Sequence, residues 1–186
     1  MAVMQKLDEA AYAELVLGNP NETWELIDGE LREKPGVSWD HGVLISKTSF
    51  VLQQQLDDSR YVVWINHARV RIASGTFYVP DVAVIPVEMG ASFRDRHVLA
   101  VFDRPLPLVV EVWSPSTGDY DVETKLPDYQ RRGDLEIWRL HPYERTLTAS
   151  VRQPNGEYAE TLYRGGVVAS AALPGVVVDL ATLFKG

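Results

Sequence analysis

The chain of 186 residues is 46% hydrophobic and 24% charged, a balance typical of a globular protein that buries a core. It has no cysteine, which excludes disulfide bonds, thiolate zinc sites and cysteine nucleophiles. Its 18 basic and 26 acidic residues give a net charge of −8, which argues against a protein that coats nucleic acid non-specifically.

The sequence shows neither a leader peptide nor a membrane span. Acidic residues (Asp8, Glu9 and Glu14) interrupt the N-terminal stretch where an apolar leader would lie. No apolar run reaches the roughly 20 residues that a spanning helix needs. We therefore expect a cytoplasmic protein without a membrane segment.

The N-terminal third predicts a helix, a hairpin and a second helix. Leu7 to Leu17 has an apolar stripe at helical spacing, and Asp8 is suited to cap its start. Asp28-Gly29 lies between two short alternating runs and indicates a two-residue β-turn. The second helix is expected from about Trp39 to Leu56, with Ser38 as its cap.

The rest of the chain alternates strand patterns with one helix that ends near Gly133. We expect a mixed α/β fold in which one central sheet is flanked by helices, with a C-terminal β-hairpin, as a single domain over residues 1–186. The predicted strands are Tyr61–Ile65, His67–Ala73, Phe77–Pro86, Leu108–Trp113, Leu135–Leu140, Leu147–Arg152, Tyr158–Tyr163 and Val176–Val178.

Two carboxylates interrupt strongly apolar strand patterns. Glu111 lies inside Leu108–Trp113, and Asp81 lies inside the pattern that ends at Pro86. Burying an unpaired charge costs several kcal/mol by order of magnitude, so each acid needs a partner. One interpretation pairs each acid with an arginine at a strand end. The other brings the two acids together as oxygen ligands of Mg²⁺ or Mn²⁺.

These acids belong to a longer set of motifs that resembles the bacterial Uma-two family of putative restriction endonucleases, part of the PD-(D/E)xK superfamily. The resemblance implies a restriction-endonuclease-like core and nuclease activity. The motifs are Trp24–Leu31, Ser38 with His41, Pro80-Asp81, Glu111 to Thr117, Asp121 with Lys125 and Tyr129, Gly133 to Trp138, and Leu173-Pro174-Gly175 with Leu180 and Phe184.

One position departs from the superfamily pattern. The E-x-K motif places a lysine two residues after the glutamate, on the same strand face, but here that residue is Trp113. The resemblance implies that Lys125 of the next helix takes this role. Asp121, Lys125 and Tyr129 share one helical face if the helix includes all three. Pro127 favours a start near Thr124 instead, which would leave Asp121 in the preceding loop.

The family resemblance implies a mechanism. Asp81, Glu111 and the carbonyl of Val112 would hold Mg²⁺ or Mn²⁺, which activates water and stabilises charge on the phosphate. Lys125 would orient or deprotonate the attacking water and neutralise the transition state. Tyr129, His41 and Glu25 are expected in supporting or substrate-binding positions.

The function expected from the sequence is therefore a metal-dependent endonuclease that hydrolyses DNA, binds it transiently and forms a homodimer. The alternative is a catalytically inactive nuclease fold that serves as a nucleic-acid-binding or protein-interaction module. The net charge of −8 and Trp113 both favour that alternative. A third possibility is a structural domain whose buried acids are only paired.

Overall fold

The computed structural model of the protein describes residues 6–36, 38–116 and 118–185. The chain opens with helix α1 (Glu9–Gly18), followed by strands β1 (Trp24–Ile27) and β2 (Glu30–Glu33). Asp28 and Gly29 both have positive φ, 51° and 82°, as the tight turn between β1 and β2 requires. The predicted N-terminal helix and hairpin are confirmed.

Helix α2 (Trp39–Gln55) follows the hairpin, and the side chain of Ser38 caps it by accepting the backbone N–H of His41 at 3.3 Å. The part of the chain described contains no helix long and apolar enough to cross a membrane. The remaining elements are β3 (Tyr61–Ile65), β4 (Arg69–Ala73), β5 (Thr76–Tyr78), β6 (Val82–Pro86), a 3₁₀ helix (Val87–Phe93), β7 (Val101–Phe102), β8 (Leu108–Val112), α3 (Gly118–Tyr120), a π turn (Asp121–Lys125), α4 (Leu126–Arg132), β9 (Glu136–His141), β10 (Thr146–Arg152), β11 (Tyr158–Tyr163), β12 (Val167–Ala169), β13 (Val177–Asp179) and α5 (Leu180–Leu183).

The strands form mixed sheets flanked by helices, which confirms the predicted fold class. A six-stranded sheet has the order β11-β10-β9-β8-β6-β3, with β8 and β9 parallel and the other neighbours antiparallel. A five-stranded sheet has the order β2-β1-β5-β4-β7, and β12 pairs with β13. The expected C-terminal hairpin is β10–β11.

The prediction that all strands join one sheet is wrong. The segment predicted as one strand from Phe77 to Pro86 is broken between β5 and β6. Pro80 lies in this break and has no N–H to continue a ladder. As a result β5 belongs to the five-stranded sheet and β6 to the six-stranded one, and Asp81 lies at the junction between them.

Strand β8 lies at the centre of the six-stranded sheet, as its apolar sequence predicts. All five of its residues are buried, and β6 and β9 flank it on either side. Its valines and leucine pack in two layers of core, one on each face of the sheet. Glu111 therefore lies between apolar neighbours on a central strand that has no exposed edge.

The helix after β8 begins earlier than Thr124, so the predicted start there is wrong. Helical conformation runs from Gly118, and the π turn has the N–H of Leu126 bonded to the carbonyl of Asp121. This wider turn precedes Pro127, which lacks the N–H that a regular α-helical bond would use. Asp121 thus belongs to the helix, and Gly133 ends it at φ 89°.

Candidate active site

The sequence predicted Asp81 inside a strand. In the structure it lies instead at the bend directly before β6. Its carboxylate is 3% exposed and links two parts of the fold. Oδ2 accepts the backbone N–H of Val112 at 2.7 Å, at the end of β8, and Oδ1 accepts the ammonium of Lys34 at 2.8 Å. Asp81 is thus fixed at the junction of the two larger sheets.

Lys34 is a residue of the site that the sequence interpretation missed. Its ammonium donates to the side-chain oxygen of Asn66 at 3.0 Å, the carbonyl of Val79 at 2.8 Å and Asp81. These three acceptors use all three of its N–H donors. Burial opposes ionisation of Asp81, but Lys34, followed by His41, holds the pKa of that carboxyl well below its usual range.

Glu111 lies in a different electrostatic environment. Its Oε1 accepts the hydroxyl of Tyr129 at 2.6 Å and the ammonium of Lys125 at 3.3 Å. Burial raises the pKa of Glu111 to about 8; Lys125 opposes the increase, while Asp81 and Asp121 add to it. The two acids of the site therefore have pKa values displaced in opposite directions.

Lys125 lies among three carboxylates. Its ammonium is 2.9 Å from Glu25, 3.3 Å from Glu111 and 3.7 Å from Asp121. Although burial alone would lower the pKa of Lys125, the three acids raise it well above its ordinary value. Lys125 is therefore a fixed cation. Glu25 is fixed as well, because it also accepts the backbone N–H of Val79 at 2.9 Å.

His41 and Tyr129, the other two predicted supporting residues, also lie at this site. The Nε2 atom of His41 lies 3.4 Å from Oδ2 of Asp81, and within the described residues neither ring nitrogen has a hydrogen-bond partner. Tyr129 is fully buried, and its ring meets Tyr78 edge to face at 5.9 Å between centroids. All six predicted side chains therefore converge on one region.

The alternative in which arginines neutralise the two acids is not observed. In residues 6–36, 38–116 and 118–185, the cationic partners of Asp81 and Glu111 are the two lysines, with His41 beside Asp81. The same ranges contain no group of three or more His, Asp or Glu residues arranged to hold a metal ion. Thr117, part of the motif after Glu111, lies outside the described residues.

These side chains line one cleft, whose empty volume is about 460 Å³ with its open mouth included. When every acid is counted as ionised and the histidine is left out, four carboxylates and two ammonium groups give its centre a formal charge of −2. The N–H and C=O of a strand residue point to the same sheet edge. The carbonyl of Val112 therefore points to the edge where its N–H meets Asp81.

Comparison with known proteins gives a family and a fold. The model of the family Uma2, putative restriction endonuclease, matches residues 10–181. The uncharacterized protein sll1609 of Synechocystis sp. is 32% identical over 120 residues, which cover 64% of this chain and 66% of that protein, slightly under two thirds. A crystal structure of a putative nuclease belonging to DUF820 from Anabaena variabilis superposes with a TM-score of 0.71, at 17% identity, over 87% of this chain and 89% of that one. This structural likeness shows a shared fold.

Proposed function

Because the chain belongs to the Uma2 family of putative restriction endonucleases, we propose that it is a divalent-metal-dependent endonuclease that hydrolyses phosphodiester bonds of DNA. One observation carries the proposal. Two buried carboxylates with oppositely displaced pKa values, Asp81 and Glu111, line the same cleft as the fixed ammonium of Lys125. Such a combination of acids and a cation in a cleft is typical of catalytic sites.

The residues fit a divalent cation. Asp81, Glu111 and the Val112 carbonyl would supply oxygen ligands, which Mg²⁺ and Mn²⁺ prefer. With Glu111 ionised, as a metal ligand must be, the formal charge of −2 at the cleft centre matches one such ion. The raised pKa of Glu111 supports the same proposal, because this carboxyl holds a proton near neutral pH when no metal cation is present.

A bound Mg²⁺ or Mn²⁺ would lower the pKa of a water ligand and stabilise charge on the attacked phosphate. The residues around it have separate tasks. Lys125, whose pKa is raised, is an ammonium that orients water and neutralises the phosphate, because a protonated amine cannot remove a proton. Tyr129 fixes one oxygen of Glu111, and Lys34 keeps Asp81 ionised.

The alternative function, an inactive nuclease fold that binds nucleic acid or protein, is favoured by a specific observation. Lys34 already occupies one oxygen of Asp81 and Val112 N–H the other, so both acceptors of that carboxylate are engaged by the protein. In an inactive protein these contacts would only stabilise the junction between the sheets. Metal binding separates the two functions, because only the nuclease needs it.

We propose strand β11 as the contact surface of the homodimer. This strand forms one edge of the six-stranded sheet, and its four central residues are exposed. An unpaired edge can join the same strand of a second copy about a two-fold axis. Light scattering during size-exclusion chromatography tests this; a mass of one chain at all concentrations would contradict the dimer.

The nuclease proposal is tested by incubating plasmid and single-stranded DNA with Mg²⁺ or Mn²⁺ and the native protein or Glu111→Gln. We expect metal-dependent cleavage by the native protein only. Glu136→Gln is a matched control, because Glu136 is an equally buried glutamate that bonds Trp138, Ser170 and Ala172 away from the cleft. Circular dichroism verifies folding of each variant.

Equal cleavage by the native protein and Glu111→Gln would contradict the site and point to a contaminating nuclease. Loss of cleavage in both glutamine variants would assign the effect to folding. Titration of the native protein with Mn²⁺ by calorimetry provides a readout that does not depend on the choice of substrate. The absence of both cleavage and Mn²⁺ binding would favour the inactive module.

A further inference from the structure

Strand β2 and the residue directly after it place two cations at the cleft, and only one of them is used by the site described above. Lys34 and Arg32 are two residues apart, and both line the cleft. Lys34 bonds Asp81, whereas the guanidinium carbon of Arg32 lies 3.8 Å from the ring centroid of Tyr120, stacked on its face. Arg32 therefore spans from the hairpin to helix α3 at the rim of the cleft.

The acid opposite Arg32 on the neighbouring strand pairs with other groups. Arg32 is directly opposite Glu25 across the β1–β2 ladder, so both side chains lie on one sheet face. Glu25 instead binds the ammonium of Lys125 and the backbone N–H of Val79. The guanidinium of Arg32 makes no hydrogen bond or ion pair with any residue of the described ranges, and the stack on Tyr120 is its interaction there.

Stacking on an aromatic ring without a carboxylate partner distinguishes Arg32 from four other arginines of the chain. A guanidinium stacked on a ring has its N–H groups in its own plane, where they can meet two oxygens of one acceptor. Phosphate oxygens match this planar fork. The arginines with carboxylate partners are Arg71 with Glu9, Arg131 with Asp128, Arg132 with Asp134 and Arg139 with Glu160.

We propose that Arg32, held on Tyr120, binds a backbone phosphate of the nucleic-acid strand next to the phosphate that is cleaved. The inference rests on the proposed nuclease function and adds a substrate contact to it. It explains how a protein with a net charge of −8 binds DNA at a cleft rich in acids. A fixed cation at the rim supplies local attraction where the overall charge is repulsive.

The test measures the affinity for a fluorescein-labelled DNA duplex by fluorescence anisotropy, in Mg²⁺ and at several salt concentrations. Every protein carries Glu111→Gln, so that the proposed nuclease binds the DNA without cutting it. Arg60→Ala is the matched control, because Arg60 is also stacked on a tyrosine, Tyr61, at 5.4 Å, but does not line the cleft. Both alanine variants remove one positive charge.

We expect Arg32→Ala to bind about tenfold more weakly and to lose about one unit of salt dependence, as removal of one phosphate contact predicts. Arg60→Ala should bind like the parent. Arg32→Lys keeps the charge but not the planar fork, and should fall between the parent and Arg32→Ala.

Three outcomes would overturn the inference: unchanged affinity in Arg32→Ala, an equal loss in Arg60→Ala, or no binding by the parent. A lower melting temperature with unchanged affinity would make Arg32 a structural clasp between the hairpin and α3. Cleavage by the native protein with unchanged binding in Arg32→Ala would refute the phosphate contact and leave the nuclease intact. A loss of DNA affinity in Arg32→Ala alone, together with no cleavage by the native protein, would retain the phosphate contact and refute the nuclease.

Discussion

Glu111→Gln should abolish cleavage and at the same time stabilise the metal-free protein. Folding raises the pKa of Glu111 from 4.5 to about 8, so the folded chain binds a proton there more tightly than the unfolded chain. The stability of the native protein therefore falls as the pH rises from 4.5 to 8. Glutamine resembles the protonated acid and can still accept hydrogen bonds from Tyr129 and Lys125 with its carbonyl oxygen.

The magnitude follows from the pH interval. Between pH 4.5 and pH 7, at about 1.4 kcal/mol per pH unit, Glu111→Gln gains at most about 3 to 4 kcal/mol in free energy of unfolding. For a chain of 186 residues this corresponds to a rise of at most about 6 to 16 °C in melting temperature. The gain should shrink towards pH 4.5 and be largest near pH 8.

Urea unfolding in EDTA at several pH values measures the effect. Glu136→Gln is the control and should have the opposite sign, because Oε2 of Glu136 accepts both Ser170 Oγ and Ala172 N–H while Oε1 accepts Trp138. An amide nitrogen cannot replace an acceptor oxygen, so the control should lose about 1–3 kcal/mol. The reasoning is refuted if Glu111→Gln is less stable than the native protein, or if its advantage does not change with pH.

Two further substitutions test other parts of the site. Lys34→Met leaves the buried carboxylate of Asp81 without its cation, so it should raise the pKa of Asp81 and reduce Mn²⁺-dependent cleavage. It should also lower the free energy of unfolding in urea by about 2–4 kcal/mol. A variant as stable as the native protein would contradict this role. Gly118→Ala should displace Trp113, because an added Cβ would overlap the indole nitrogen of Trp113. Tryptophan fluorescence should then report loss of the stack of Trp113 on His141, whose ring centroids are 4.3 Å apart. An unchanged spectrum would contradict this packing.

Several local features followed from short stretches of sequence, and their physical causes are local as well. The Asp28-Gly29 turn needs residues that tolerate positive φ, and Ser38 has the side-chain oxygen that a helix start requires. The apolar run around Glu111 predicted a strand buried on both faces, which β8 is. The hairpin of β10 and β11 followed from two strand patterns around one turn.

The division into separate sheets did not follow from the sequence. A run such as Phe77 to Pro86 has the same residue types whether it forms one strand or two. The lack of an N–H at Pro80 permits a break, but only the two sets of partner strands fix it there. The π turn before Pro127 was also missed, because a proline in a helical pattern is compatible both with a helix start and with a wider turn that needs no proline N–H.

The sequence by itself determined the fold class, the family and the side chains that were expected to form the site, since those depend on local patterns and motifs. Only the tertiary structure decided how these side chains pair. The contact of Lys34 with Asp81 joins residues 47 positions apart, and no local pattern encodes such a distance. The opposite pKa displacements of Asp81 and Glu111 arise the same way, because burial and neighbouring charges, rather than residue type, set them.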